Sequence, residues 1–187
     1  MTAKSDGLWV FGYGSLMWRP GFPYRERCHA HLRGYHRALC IFSHVHRGTP
    51  ERPGLVLGLD RGGRCHGVAF RVEPKDADAT IAYLREREQA TSVYLERRLP
   101  IGLSDGRRVE AVAYVVDRNH AQYAGRLRDE DVLRLVLQGV GVSGENPDYV
   151  RSTHAHLQEM GVTDPVLARL TEALRSTPET SPRVDLR

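Results

Sequence analysis

The stretch Trp9-Val10-Phe11-Gly12-Tyr13-Gly14-Ser15-Leu16-Met17-Trp18 decides how this chain is read. It opens as a strand, since Leu8, Trp9, Val10 and Phe11 are the residue kinds that fill buried β-structure. It then breaks at Gly12-Tyr13-Gly14-Ser15. Alternate glycines permit positive φ and close approach of the backbone to a ligand. Successive N–H groups at such a turn can form a concave nest for an anion. The turn is therefore a candidate cradle for a carboxylate or phosphate, with a plain bend as the alternative. No Lys-Ser/Thr pair follows it, and no third glycine opens a helix behind it. That excludes a nucleoside-triphosphate loop and the dinucleotide fingerprint. Arg19-Pro20-Gly21-Phe22-Pro23 continues as an irregular connection, because its prolines oppose helix.

Outward from this stretch, residues 28–42 read as one long strand or two short ones bent at Gly34. A turn-rich loop covers 44–54. Leu55–Leu59 and Cys65–Val72 read as strands, joined by a hairpin at Asp60-Arg61-Gly62-Gly63. Pro74 starts a helix that runs to Glu88. Val93–Ile101 and Val109–Val116 form a strand pair around Ser104-Asp105-Gly106. A helix follows over Asp129–Gln138, and residues 139–144 read as a loop. Asn146-Pro147-Asp148 and Asp164-Pro165 each look like a cap followed by proline, opening helices that reach about Met160 and Arg175. This order lacks the strict strand–helix alternation of a parallel sheet. The expectation is an α+β fold: a mixed, curled sheet or small barrel with helices outside. Residues 1–7 read as a flexible N-terminus, 8–175 as one domain and 176–187 as a frayed tail.

The chain has 187 residues, 41% hydrophobic and 27% charged, enough for one sizeable core. No apolar run much exceeds Ala111–Val116, which falls short of a membrane span. The first residues lack the apolar segment of a signal peptide. Cys28, Cys40 and Cys65 are an odd number without Cys-x-x-Cys spacing, and read as reduced packing thiols. A cytoplasmic location follows as the expectation. The net charge of +4 is spread along the chain, with neither a basic stripe nor an aromatic stacking motif for nucleic acid.

The helix after Pro74 carries an informative carboxylate. Its apolar stripe is Ala77, Ile81 and Leu84, and the next position on that stripe is Glu88. Arg85, Glu86 and Arg87 lie off the stripe and read as a solvated face. Burial raises the pKa of an inward carboxylate, and the negative end of the helix acts in the same direction. A neighbouring arginine opposes both. Such a group is suited to general acid–base work. A helix that ends a residue or two earlier leaves Glu88 exposed and inert.

Five motifs then occur in register. They are Phe11–Trp18, His46-Arg47-Gly48-Thr49-Pro50-Glu51-Arg52-Pro53-Gly54, Gly67-Val68-Ala69-Phe70-Arg71, Tyr83-Leu84-Arg85-Glu86-Arg87-Glu88, and Ser143-Gly144-Glu145-Asn146-Pro147-Asp148-Tyr149. Together, from about residue 8 to about 175, the chain resembles the ChaC family of γ-glutamylcyclotransferases, in its glutathione-specific branch. The resemblance implies a small mixed β-barrel with flanking helices. It implies conversion of glutathione to 5-oxoproline and Cys-Gly without metal or cofactor. It places γ-glutamyl binding on Val10, Phe11, Gly12, Tyr13, Gly14, Ser15 and Leu16, and the catalytic acid on Glu88. The chemistry suits these residue types, because the substrate's own α-amine is the nucleophile and the protein has only to orient the chain and move protons.

Tyr149 is a candidate for a hydroxyl contact, with core packing as its alternative. Arg47 and His46 are candidates to meet the glycine carboxylate, with a solvated loop arginine as the alternative. Some family members carry a second acid nine positions before the catalytic one, where this chain has Ala79. Some have a glycine pair after it, where this chain has Gln89-Ala90-Thr91-Ser92. These departures bear on substrate preference and rate more than on reaction type. His29/His31, His44/His46 and His154/His156 lack a convincing Cys or carboxylate complement, so no metal is expected. Competing readings are a cyclotransferase for other γ-glutamyl amides or amines, a non-catalytic γ-glutamyl-binding module and, more remotely, a nucleic-acid accessory protein. The oligomeric state is not legible.

Overall fold

A computed structural model of the chain describes residues 7–88 and 92–177. The proposed boundary at residue 7 and the tail beyond 177 therefore lie mostly outside the described residues, as do Gln89, Ala90 and Thr91. The N-terminal apolar run forms strand β1 (Leu8–Gly12), buried at every position. Strands β2 (Glu26–Ser43) and β3 (Gly54–Val72) are long and pair antiparallel along almost their whole lengths. Strands β4 (Tyr94–Leu103) and β5 (Arg108–Val116) form the expected hairpin. The five strands close into a barrel in the order β1-β3-β2-β4-β5. Closure is made by β5 lying parallel to β1, with Trp9 opposite Ala111 and Val10 opposite Val112. The barrel is therefore mixed, as expected.

Asp60–Gly63 is not a hairpin. The chain continues through it as one strand, with Arg33 opposite Arg64 and Tyr35 opposite Arg61. Gly34 has φ 85° and faces Gly62 and Gly63, at φ 104° and 72°. These glycines supply left-handed backbone on both strands, so the long pair bends without ending. Asp60 is buried and does not serve a turn. It accepts from Arg118 Nε at 2.7 Å and from the Tyr123 hydroxyl at 2.8 Å.

A single 3-10 turn at Pro74–Asp76 leads into helix α1 (Ala77–Glu88). Helices α2 (Asp129–Gln138), α3 (Asn146–Glu159) and α4 (Pro165–Ser176) follow. Residues 139–144, expected as a loop, fall instead in a small hairpin of β6 (Val140–Gly141) and β7 (Gly144–Glu145). Asp164 caps α4 as expected, accepting from the N–H groups of Val166 and Leu167. Asn146 does not cap α3. Its amide is turned onto β3 instead, where Oδ1 accepts from Leu55 N at 2.7 Å and Nδ2 donates to Leu55 O at 2.8 Å. One side chain thus serves both backbone groups of a buried strand residue that has none of its own to spare. Asn146 is fully buried, and it fixes the start of α3 against the barrel. Cys40 and Cys65 are buried and Cys28 is half-buried, and all three are free thiols.

Candidate active site

The site begins where β1 stops. Beyond Gly12 the chain folds into a 3-10 turn over Ser15–Met17, closed by Met17 N donating to Gly14 O at 2.9 Å. Neither Gly12 nor Gly14 has positive φ, contrary to the expectation for this bend. Gly12 is needed for space: a Cβ there would stand 3.1 Å from Leu16 Cβ and 3.2 Å from Met17 N. The turn doubles back over Gly12, which presents Tyr13 to Leu16 sideways to the barrel end. At the start of such a turn the N–H groups of Ser15 and Leu16 have no partner within the helix.

Helix α1 delivers Glu88 to this turn. Leu84 and Thr80 are buried, while Ala77, Ile81 and Glu88 are partly covered. The carboxylate side chain keeps only 16% of its exposure. Glu88, Tyr13, Gly14, Ser15, Leu16, Leu57, Tyr94 and Tyr149 together line a cavity of about 70 Å³. The catalytic candidate and four of the seven turn residues thus meet, with Tyr149 opposite them. Val10 and Phe11 are fully buried in the barrel core and Gly12 lies beneath the turn, so these three support the cavity without lining it.

Arg47 also stands back. Its guanidinium lies 5.5 Å from the centre of the Tyr149 ring, and Nη1 donates to Glu145 O at 3.1 Å. It braces Tyr149 from behind, outside the residues that line the cavity. Tyr149 is neither loosely packed nor free. Its hydroxyl oxygen accepts from Leu57 N at 3.1 Å, while the Tyr94 hydroxyl donates to Leu57 O at 2.8 Å. The Tyr94 oxygen is left to accept from Tyr13. Three phenols therefore surround the carboxylate. Burial raises all three above the usual phenol range, so each remains a neutral hydroxyl at physiological pH.

Burial likewise raises the pKa of Glu88, and the adjacent Arg87 opposes the rise. The sequence reading put Arg87 on the solvated face; the structure corrects this. Only 23% of its side chain is exposed, and Nε lies 3.2 Å from Glu88 Oε1. Nη2 donates to Ser15 Oγ at 2.9 Å, and Nη1 donates to Arg19 O at 2.6 Å and to the Tyr83 hydroxyl at 3.0 Å. The chain from Ser15 to Pro20 covers this side of α1, and a long arginine stem reaches it from an off-stripe position. Arg85 remains on the surface, paired with Glu96 at 2.8 Å.

A second arginine holds the turn from below. Arg37 on β2 donates from Nε to Tyr13 O and from Nη2 to His66 O, both at 2.6 Å, and from Nη1 to Asp164 at 3.2 Å. Tyr94, Leu57 and Arg37 are site residues that the sequence does not single out, whereas Arg87 is named there only as a neighbour of Glu88. They come from separate strands and a helix end, and no local pattern joins them. Among the described residues no group of three or more His, Cys, Asp or Glu side chains converges as metal ligands.

Comparison with known proteins gives the family and the fold. The chain matches the ChaC-like protein family over residues 8–177. It is 36% identical over 157 residues to an Escherichia coli K12 glutathione-specific γ-glutamylcyclotransferase, covering 84% of this chain and 68% of that protein. It is 32% identical over 181 residues to the human glutathione-specific γ-glutamylcyclotransferase 1, covering 91% of this chain and 82% of that one. In fold it is similar to the crystal structure of a yeast γ-glutamyl cyclotransferase specific to glutathione, with TM-score 0.80 and 23% identity over 92% of this chain and 97% of that one.

Proposed function

The chain belongs to the ChaC-like protein family, and on that premise we propose that it is a glutathione-specific γ-glutamylcyclotransferase with Glu88 as its acid–base group. The observation that carries the residue assignment is the cavity shared by Glu88 and the turn Tyr13–Leu16. The γ-glutamyl end of glutathione enters that cavity. Backbone N–H groups of the turn and the neutral Tyr149 hydroxyl face its carboxylate and carbonyl oxygens, while Tyr13 and Tyr94, whose protons are engaged on the Tyr94 oxygen and on Leu57 O, shape the wall.

Glu88 removes a proton from the substrate's α-amine. The freed nitrogen attacks the γ-carbonyl carbon and closes a five-membered ring. Negative charge collects on the carbonyl oxygen, where neutral donors in a dry cavity are most effective. The bond from that carbon to the cysteinyl nitrogen then breaks, and Glu88 returns its proton to the departing amine. The products are 5-oxoproline and Cys-Gly; no water is consumed. Ring closure needs the γ-glutamyl chain folded back on itself, and a small cavity enforces that shape. The raised pKa of Glu88 fits a group that must both take and return a proton.

No described helix is long and apolar enough to cross a membrane. The free thiols fit a reducing compartment, and we place the enzyme in the cytoplasm, where glutathione is abundant. The test is incubation of the purified protein with glutathione and detection of both products. Release of 5-oxoproline with Cys-Gly is expected. Binding of glutathione without turnover would favour a binding module instead, and turnover confined to other γ-glutamyl amides would change the substrate and keep the reaction.

A further inference from the structure

Two cavities open on Glu88, and the chemistry above uses only one. The second has a volume of about 140 Å³, twice the 70 Å³ of the first. The two share Glu88 and Tyr94. Between them runs β3, with Leu57 lining the first cavity and its neighbour Val56 lining the second, as alternate sides of one strand must. The inner walls of the second cavity are Ile41, Val56 and Val93. Its mouth carries His44, His46 and Arg87. His46 is held there by a 2.8 Å hydrogen bond between its Nδ1 and Ser143 Oγ, and His44 is stacked on Phe42.

The scissile bond must lie at Glu88, because the departing nitrogen receives its proton there. The turn cavity, at about 70 Å³, is too small for a whole tripeptide, so it accommodates one side of that bond only. Whatever follows the scissile nitrogen has to leave past Glu88 and Tyr94. We infer that the second cavity receives the leaving half of the substrate: a short α-peptide with a small side chain and a free C-terminal carboxylate. This rests on the proposed reading of Glu88. The apolar walls take the small side chain. The carboxylate stays at the mouth, beside Arg87 and the two imidazoles. Substrate length is then measured here, and the γ-glutamyl group is read in the turn cavity.

The two products are the probes, since each should occupy one cavity. With wild-type protein, Cys-Gly and 5-oxoproline should inhibit independently and bind together, giving intersecting lines in a double-inhibition plot. Val56→Phe fills the second cavity from the face of β3 opposite to Leu57, on the side away from the turn Tyr13–Leu16. It should weaken inhibition by Cys-Gly, and lower kcat/KM for glutathione, by about tenfold or more, with 5-oxoproline inhibition changed by less than about twofold. Mutually exclusive binding of the two products to the wild type would overturn the inference, whether or not the variant folds. So would unchanged Cys-Gly inhibition in folded Val56→Phe, or an equal loss of both inhibitors. If wild-type protein does not turn over glutathione, the reading of its function fails instead. Calorimetric titration of Cys-Gly into the wild type and the variant then still decides whether this cavity binds a dipeptide.

Discussion

At the residue scale the molecule turns on Glu88 and Arg87. Glu88→Gln keeps the size and hydrogen-bonding capacity of the side chain and removes the proton acceptor. It should lower kcat for 5-oxoproline release by about 10²- to 10⁴-fold, with little change in 5-oxoproline binding. A second consequence follows from burial. A carboxyl whose pKa is raised on folding favours the folded state while protonated, and that advantage is lost as pH rises through the folded pKa. Glu88→Gln should therefore raise Tm at pH 7 to 8, and the gain should shrink as pH falls through the range between the raised and the ordinary carboxyl pKa. Thermal melts across that range check it, and a destabilised variant at pH 8 would contradict it. Arg87 acts in the opposite sense, because its charge draws the Glu88 pKa down. Arg87→Met should move the acid limb of the kcat profile to higher pH. An unmoved limb would show that Arg87 serves the turn alone.

At the scale of single elements, the turn after β1 and the start of α3 are built by substitutions of role. Gly12 is where the 3-10 turn returns onto its own strand, so closely that an added methyl group would push Leu16 and Met17 N back by a few tenths of an ångström. Gly12→Ala should lift Tyr13–Leu16 from the barrel end and raise KM for glutathione more than it lowers Tm. Asn146 does the work of a neighbouring strand for Leu55. Asn146→Ala leaves a buried donor and a buried acceptor unpaired, at a cost of about 1–3 kcal/mol each. A loss of about 2–5 kcal/mol in denaturant unfolding is expected on that basis. The sequence reads Gly12 as a glycine that lets the backbone approach a ligand and Asn146 as a helix cap; packing gives each a different task.

Across the whole molecule, the closed barrel holds the site from one side and the helices hold it from the other. Arg37 joins the two, reaching from β2 to the Tyr13 carbonyl and to the cap residue of α4. Its ion pair with Asp164 is buried, with 5% and 9% of the two side chains exposed. Such a pair need not add net stability, but removing one member strands the other charge. Asp164→Ala should therefore cost about 3–5 kcal/mol, more than the roughly 1 kcal/mol of a lost cap alone. A loss near 1 kcal/mol would mean that Arg37 finds water or another partner.

Much of this was legible along the chain because it depends on near neighbours. β1, the β4–β5 hairpin, α2 and the Asp164 cap follow from runs, turn residues and capping chemistry, each decided within a few positions. The inward aim of Glu88 follows from helical spacing, and its assignment as the acid from the family motif. What only the tertiary structure decided depends on residues far apart in sequence. The Asp60–Gly63 segment continues as strand because β2 pairs on both sides of it, overriding a local hairpin signal. Arg87 is covered because the chain seventy or so positions earlier lies across it. Tyr94, Leu57 and Arg37 enter the site because closing a barrel brings strand ends together wherever they fall in the chain. Local pattern sets which elements form and which way their faces point, whereas closure and packing determine which of those faces meet.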